Sequence, residues 1–283
     1  MKYKNTIRAR FVSRPNRFTA VVEIPEDSSQ LQKLENLYQL QGLQESNRSK
    51  KTQEFSGYRD PNQLQSAGLG DVAEDESAIP LSEPAAGWRR ETVHVKNTGR
   101  CRELLIPGAV VILEKSRNPD RKTKYDLIAV YKEGLGLVNM DSQAPNKAVH
   151  EWLLTKDYDL IKPEYTFGDS RIDFYMEKGE QKYLMEVKGC TLEIDGVGYF
   201  PDAPTQRGVK HLKELAKAAG QGYICYAAFV IQMEGVDEVR PNIETHPQFA
   251  EALAEAKAAG VQVLCLGCSV GEDEFVIDGW KKS

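Results

Sequence analysis

The chain has 283 residues, 41% hydrophobic and 28% charged, with a formal net charge of −5. That length is long for one compact domain and comfortable for two. The N-terminus MKYKNTIRARF has no apolar secretory core, the longest apolar run (ICYAAFVI, 224–231) is too short to cross a bilayer, and five scattered cysteines suit a reducing compartment, so a cytoplasmic protein without a membrane partner is expected.

In chain order, KNTIRARFV and RFTAVVEI alternate as short strands and meet at Arg14-Pro15-Asn16, a turn signal. Residues 1–24 are basic, with six Lys/Arg against Glu23. Residues 25–90 are polar and form an insertion. Its first part, SSQLQKLENLYQLQGL, fits a short amphipathic helix; the rest has too little apolar surface for its own core and is expected to be mobile. TVHVKN, GAVVILEKS and KYDLIAVY then read as strands separated by Asn-Thr-Gly, Pro-Gly and Asn-Pro-Asp. Together the five strands predict a small OB-like barrel made of residues 1–24 and 91–135. Residues 93–133 carry nine basic and five acidic side chains. Such stretches point to a polyanion, although solvated strand faces account for the same charge.

Residues 136–283 change to mixed α and β and carry a net −9 from residue 134 onward. NKAVHEWLLTK has helical period, KPEYTF is strand-like, and PTQRGVKHLKELAKAAG is a helix with Thr205 as N-cap and Gly220 as stop. YICYAAFVIQ is continuously apolar, as a strand buried on both faces should be. PQFAEALAEAKAAG is a further helix and VQVLCLGCSV a last strand. Cys265 and Cys268 in that strand form a CxxC with no second pair to complete a zinc site, so they read as buried strand residues. The order α-β-β-β-α-β-α-β predicts a mixed sheet with helices packed on it.

The stretch RIDFYMEKGEQKYLMEVKG (171–189) folds as a hairpin at Gly179-Glu180. Ile172, Phe174 and Met176 then share an apolar face with Tyr183, Met185 and Val187. The other face places Asp173 across from Glu186 and Glu177 across from Lys182. Opposed carboxylates about 5 Å apart destabilise a sheet unless a cation lies between them. Charged oxygen ligands select a hard ion, Mg²⁺ or Mn²⁺, which keeps waters and binds phosphate as well. Glu186 and Lys188 point to the same side, so an ammonium stands beside the metal pair. This set suits phosphodiester hydrolysis: the metal activates water and Lys188 orients it or stabilises developing charge. On the order of one ExK triplet is expected by chance, and a solvated face of cross-strand ion pairs fits the periodicity too.

Neighbours leave alternatives open. Arg171 shares the face of Asp173, where contact with phosphate and pairing with Glu177 both fit. Arg207 and His211 are i and i+4 on one helix face, which offers Arg207 as a phosphate ligand or a surface ion pair. Glu164 reads as an extra metal ligand or a plain exposed carboxylate, and Asp202 as a cap or a site residue. Tyr199 and Phe200 read as core anchors or base-stacking residues. On the barrel, Arg8, Arg10 and Arg14 are candidate nucleic-acid contacts.

The D…ExK hairpin resembles the core of the PD-(D/E)xK nuclease superfamily. More narrowly, HVKNTG, SRIDF, MEVKGCTL and GYFPDAPTQRGVKHLKEL are similar to the sugar fermentation stimulation protein (SfsA) family over about residues 3–24 and 92–270. The resemblance implies an N-terminal OB-like domain, a restriction-endonuclease-like C-terminal α/β domain, and DNA as partner ahead of RNA. Asp173, Glu186 and Lys188 are intact as its motif residues. The insertion within the barrel departs from the usual pattern. Two functions follow as expectations: a Mg²⁺- or Mn²⁺-dependent nuclease, or a DNA-binding regulator of sugar metabolism genes on a scaffold that does not cut. A homodimer is one candidate assembly.

Overall fold

A computed structural model of the protein describes residues 1–36, 83–84, 86–97 and 99–281. Strands β1 (Thr6–Asn16), β2 (Thr19–Pro25), β3 (Trp88–Val95), β4 (Val110–Lys115), β5 (Tyr125–Lys132) and β6 (Gly136–Asn139) form one sheet in the order β3-β2-β1-β4-β5-β6. An additional β3–β5 pairing closes the first five into a barrel. The closure pairs His94 with Asp126 and Val95 with Leu127. Asp126 also takes His94 Nδ1 at 2.9 Å and both terminal nitrogens of Arg121 at 3.0 and 2.7 Å, which pins the seam. At the β1–β2 turn Asn16 Oδ1 accepts the amides of Phe18 and Thr19, so the turn is held by a side chain. Phe11, Val22, Val93, Val111, Leu113 and Leu127 fill the interior.

Helix α1 starts at residue 28 and is described as far as residue 36. Asp27 Oδ1 accepts the amides of Ser29 and Gln30 and so caps its first turn. Leu34 is fully buried against Trp88 and Val110, and Trp88 donates its indole N–H to Gln30 at 2.9 Å. The first turns of the insertion are thus packed on the barrel. The expected continuation of this helix past residue 36 and the remainder of the insertion to residue 82 lie outside the described residues.

The second unit runs α2 (Ala144–Leu153), β7 (Leu160–Phe167), β8 (Ser170–Lys178), β9 (Gln181–Cys190), β10 (Leu192–Ile194), β11 (Val197–Phe200), α3 (Gln206–Gly220), β12 (Ile224–Ile231), β13 (Val239–Pro241), α4 (Pro247–Ala258), β14 (Gln262–Val270) and β15 (Phe275–Lys281). Its main sheet has the order β15-β14-β12-β9-β8-β7, with β9, β12 and β14 parallel. Residues of α2 cover one face with Phe174, Met176, Met185 and Val187; residues of α3 and α4 cover the other with Leu184, Cys225 and Phe229. β12 carries apolar side chains on both sides because helices lie on both sides. β10, β11 and β13 form a small separate sheet. Cys265 and Cys268 are buried in β14, and all five cysteines are free. No helix among the described residues is long and apolar enough to cross a membrane.

The barrel is joined to this unit by a buried polar cluster. Lys96 of the barrel reaches Asp141 at 2.7 Å, and Gln232 Nε2 donates to the carbonyls of Asn139 and Asp141. Every member is hydrogen-bonded, so the cluster fixes a single relative placement.

Candidate functional site

Gly179 has φ +56°, the conformation a tight hairpin turn requires, and the strand pairs run from Lys178–Gln181 to Phe174–Met185. Glu177 stands opposite Lys182 as the register requires, but its carboxylate is taken by the Tyr175 hydroxyl. The ladder stops one pair short of Asp173 and Glu186. Ile172 packs with the α3-side cluster whereas Phe174 and Met176 pack on the α2 side, so the expected common face of these three breaks at Asp173. There the two strands part, and the carboxylate of Asp173 fills the gap. Its Oδ2 accepts the Val187 amide at 2.8 Å, in place of a strand carbonyl, and its Oδ1 accepts Asn146 Nδ2 of α2 at 2.7 Å.

Glu186 lies on the α3 side, 2% exposed. Its Oε1 is bound by Lys188 Nζ and by His211 Nδ1 of α3, while Oε2 is buried with no hydrogen-bond partner. Glu164 on β7 falls between the pairs Pro163–Phe174 and Tyr165–Ile172 and has φ +55°. A non-glycine residue held there is strained by about 1–3 kcal/mol. Glu164, Asp173 and Glu186 therefore form a row across three neighbouring strands.

The pKa values of the two carboxyls, Glu186 buried and Asp173 half-buried, are pushed in opposite directions. Burial, then the charge of Glu186, raises the pKa of Asp173. Burial acts the same way on Glu186, but the His211 hydrogen bond and the Lys188 ammonium outweigh it and hold Glu186 below the usual carboxylate range. Ionisation of Asp173 is thus opposed by burial and by the neighbouring carboxylate, whereas that of Glu186 is favoured by the partners around it.

These residues open onto a cleft of about 480 Å³ whose rim includes Lys147, Lys188 and Arg207. The first turns of both α2 and α3 lie on it, through Asn146, Lys147 and Arg207, so the positive ends of both helix dipoles add potential there. Thr205 caps α3 by accepting the Gly208 amide at 3.0 Å, which sets where Arg207 emerges. Among the described residues no three His, Cys, Asp or Glu side chains converge closely enough to enclose a metal. Two carboxylates, one with a buried oxygen lacking any donor, instead fit a hard ion that keeps most of its waters or binds phosphate.

The structure brings Asp173, Glu186, Lys188 and Arg207 together. Arg207 lines the cleft, and its Nε lies 3.4 Å from His211 Nε2. Arg171 pairs with Glu164 at 3.6 Å and not with Glu177. The barrel arginines are not brought to the cleft. Arg8 binds Glu272 at 2.7 Å, Arg10 binds Glu23 at 2.6 Å and lies over Trp88, and Arg14 donates to the carbonyls of Arg17, Asn97, Gly99 and Arg100. Phe200 is a core anchor, its ring edge-on to Phe229 and Phe249. Asp202 Oδ2 accepts the Cys101 amide of the barrel at 3.1 Å. Asn146 stands in no motif of the sequence, and His211 is marked there only by its helical spacing from Arg207. Neither has a motif signal; a buried histidine aimed at a motif glutamate shows only in three dimensions.

A closed five-stranded barrel followed by a mixed-sheet α/β domain, with an Asp and an ExK triplet on one hairpin, defines the class of this protein. The model of the SfsA N-terminal OB domain matches residues 79–140, and that of the sugar fermentation stimulation protein RE domain matches residues 143–274. The chain is 54% identical over 190 residues to the sugar fermentation stimulation protein homolog of Desulfitobacterium hafniense (strain DSM 10664 / DCB-2), covering 66% of this chain and 83% of that one. It is 42% identical over 281 residues to the homolog of Clostridium beijerinckii, covering 98% and 96%. The chain belongs to the sugar fermentation stimulation protein family. Its fold also matches the structure of Pyrococcus furiosus SfsA in complex with Ca²⁺, with a TM-score of 0.68, 23% identity and coverage of 99% of this chain and 96% of that chain.

Proposed function

We propose that this protein is a nucleic-acid-binding, metal-dependent nuclease that acts on DNA ahead of RNA. The observation that carries the reading is the partnerless, buried Oε2 of Glu186 beside an Asp173 whose pKa is raised. A carboxylate oxygen sealed from water without a donor costs stability unless a cation meets it. Asp173 and Glu186 would hold Mg²⁺ or Mn²⁺, which supplies Lewis acidity and an acidified water. His211 and Lys188 fix Oε1 of Glu186, so that Oε2 remains for the ion. The Lys188 ammonium stabilises negative charge as it develops on the transferred phosphoryl oxygens. Arg207, Lys147 and the starts of α2 and α3 hold the flanking phosphates, with Arg171 at the outer edge. Further support comes from the same fold in Pyrococcus furiosus SfsA, which was crystallised with Ca²⁺.

One observation favours the alternative of a DNA-binding regulator that does not cut: Oε1 of Glu186 is already ion-paired to Lys188 and hydrogen-bonded to His211. Purified protein incubated with single- and double-stranded DNA and RNA, in Mg²⁺, Mn²⁺ or EDTA, separates the two. Cleavage that needs the ion and is lost in Asp173→Asn supports the nuclease. Salt-sensitive binding with every substrate left intact selects the regulator.

A further inference from the structure

A second concavity, of about 420 Å³, adjoins the carboxylate cleft between the barrel and the sheet domain. Ser142 lines both, and Gly189, on its wall, directly follows Lys188. We infer that this cavity takes one unstacked nucleobase of the strand whose phosphate lies at Asp173 and Glu186, so that the substrate is single-stranded where it is attacked. The inference rests on the function proposed above and adds its substrate class.

The polar groups on the wall are fixed in advance. Gln232 is 2% exposed and its Nε2 is committed to Asn139 and Asp141, which sets Oε1 directly over Gly189. A Cβ at residue 189 would overlap that oxygen, so glycine lets the amide approach the strand. Asn97 Oδ1 accepts the Gly99 amide at 2.7 Å, which leaves its NH₂ to donate. Asp202 Oδ2 accepts the Cys101 amide and leaves its second oxygen to accept. Thr191 adds a hydroxyl, also on a nearly buried residue. Donor and acceptor groups thus face a space in the size range of a small-ligand pocket.

Charge decides what fits. Asp202 is the one acid and Arg17 the one cation among the lining residues. Arg17 sits on the β1–β2 turn, over the half-exposed ring of Phe18, at the rim. A phosphate in the depth would face the Asp202 carboxylate, whereas the edge of a neutral heterocycle offers N–H groups to it and acceptors to Asn97. The phosphate stays outside, between Arg17 and the cleft. A base paired and stacked in a duplex cannot reach into this recess without being unpaired.

Binding of single-stranded deoxytetranucleotides in EDTA, compared with an abasic tetramer carrying the same phosphates, reads the base apart from the backbone and apart from metal. Wild type should bind the base-bearing tetramers about tenfold more tightly. Ala203→Trp, which fills the cavity, should bring them down to the abasic affinity. Asp202→Asn keeps the shape and should reorder the preference among the four homotetramers. A blunt duplex should compete less well than its own single strand. Equal affinity of wild type for both tetramer classes, or an intact base preference in a cooperatively melting Ala203→Trp protein, overturns the inference. A base preference without any Mn²⁺-induced rise in melting temperature would instead sink the nuclease reading and leave the base cavity standing.

Discussion

Replacing Asp173 by Asn removes one charge at nearly constant shape. Two like unit charges at about 5 Å in an effective dielectric of about 20 repel by about 3 kcal/mol. The substitution also forfeits the attraction of Lys188 and weakens the two hydrogen bonds from Val187 and Asn146 by about 1 kcal/mol each, because their acceptor becomes neutral. The metal-free variant should therefore be as stable as wild type or up to about 1 kcal/mol more so, a rise in Tm of about 2–4 °C. Mn²⁺ reverses the order. At one hundred times Kd it should add about 2.7 kcal/mol to wild type and nothing to the variant. The pH dependence follows from sign. A carboxyl whose folded pKa is raised contributes stability below its unfolded value that is lost as pH rises through the folded one, so wild type is penalised on the alkaline side. In EDTA the advantage of Asp173→Asn should vanish as pH falls through the raised pKa of Asp173, where wild type becomes neutral as well. Glu186 acts in the opposite sense: its contribution is present above the ordinary glutamate value and is lost only at lower pH. Calorimetric scans with EDTA and with Mn²⁺ across this range provide the assay. A variant more than 1 kcal/mol less stable than wild type in EDTA, or two proteins indifferent to Mn²⁺, would refute the reasoning.

Lys188→Ala removes a charged partner of the buried Glu186 carboxylate and should cost about 1–3 kcal/mol without metal; Mn²⁺ should restore most of it while cleavage stays lost, which melting and a nuclease assay check together. Arg14→Ala should lower stability by about 2–4 kcal/mol, since four loop carbonyls lose a charged donor. By contrast, Arg171→Ala and Arg207→Ala should each reduce the salt slope of nucleic-acid binding by about 1 and leave melting within about 0.5 kcal/mol; if the slope instead falls in Arg8→Ala or Arg10→Ala, the binding face is the barrel. Leu34→Ala should cost about 2–5 kcal/mol in a denaturant titration, because it opens a hole beneath Trp88 and Val110.

Sequence alone determined those features whose physics is local. Alternation and turn residues mark β1, β2, β3, β4 and β5, helical period marks α2, α3 and α4, and Gly179 fixes the hairpin register from Phe174–Met185 outward. The four-residue β6 and three-residue β10 and β13 have too few alternations to register as strands, and they exist because a neighbouring strand supplies their hydrogen bonds. Arg8, Arg10 and Arg14 appear in sequence as a basic stretch; only the fold supplies Glu272, Glu23 and the carbonyls of the 97–100 loop that occupy them. The pair Asp173 and Glu186 was legible as a conflict of like charges across two strands. That the ladder opens there, that Asp173 turns to the Val187 amide, and that His211 and Lys188 hold one oxygen of Glu186 while the other is left bare, the tertiary structure decided. Spacing along a strand sets which side chains share a face, but burial and the approach of a distant helix set which of their atoms are satisfied.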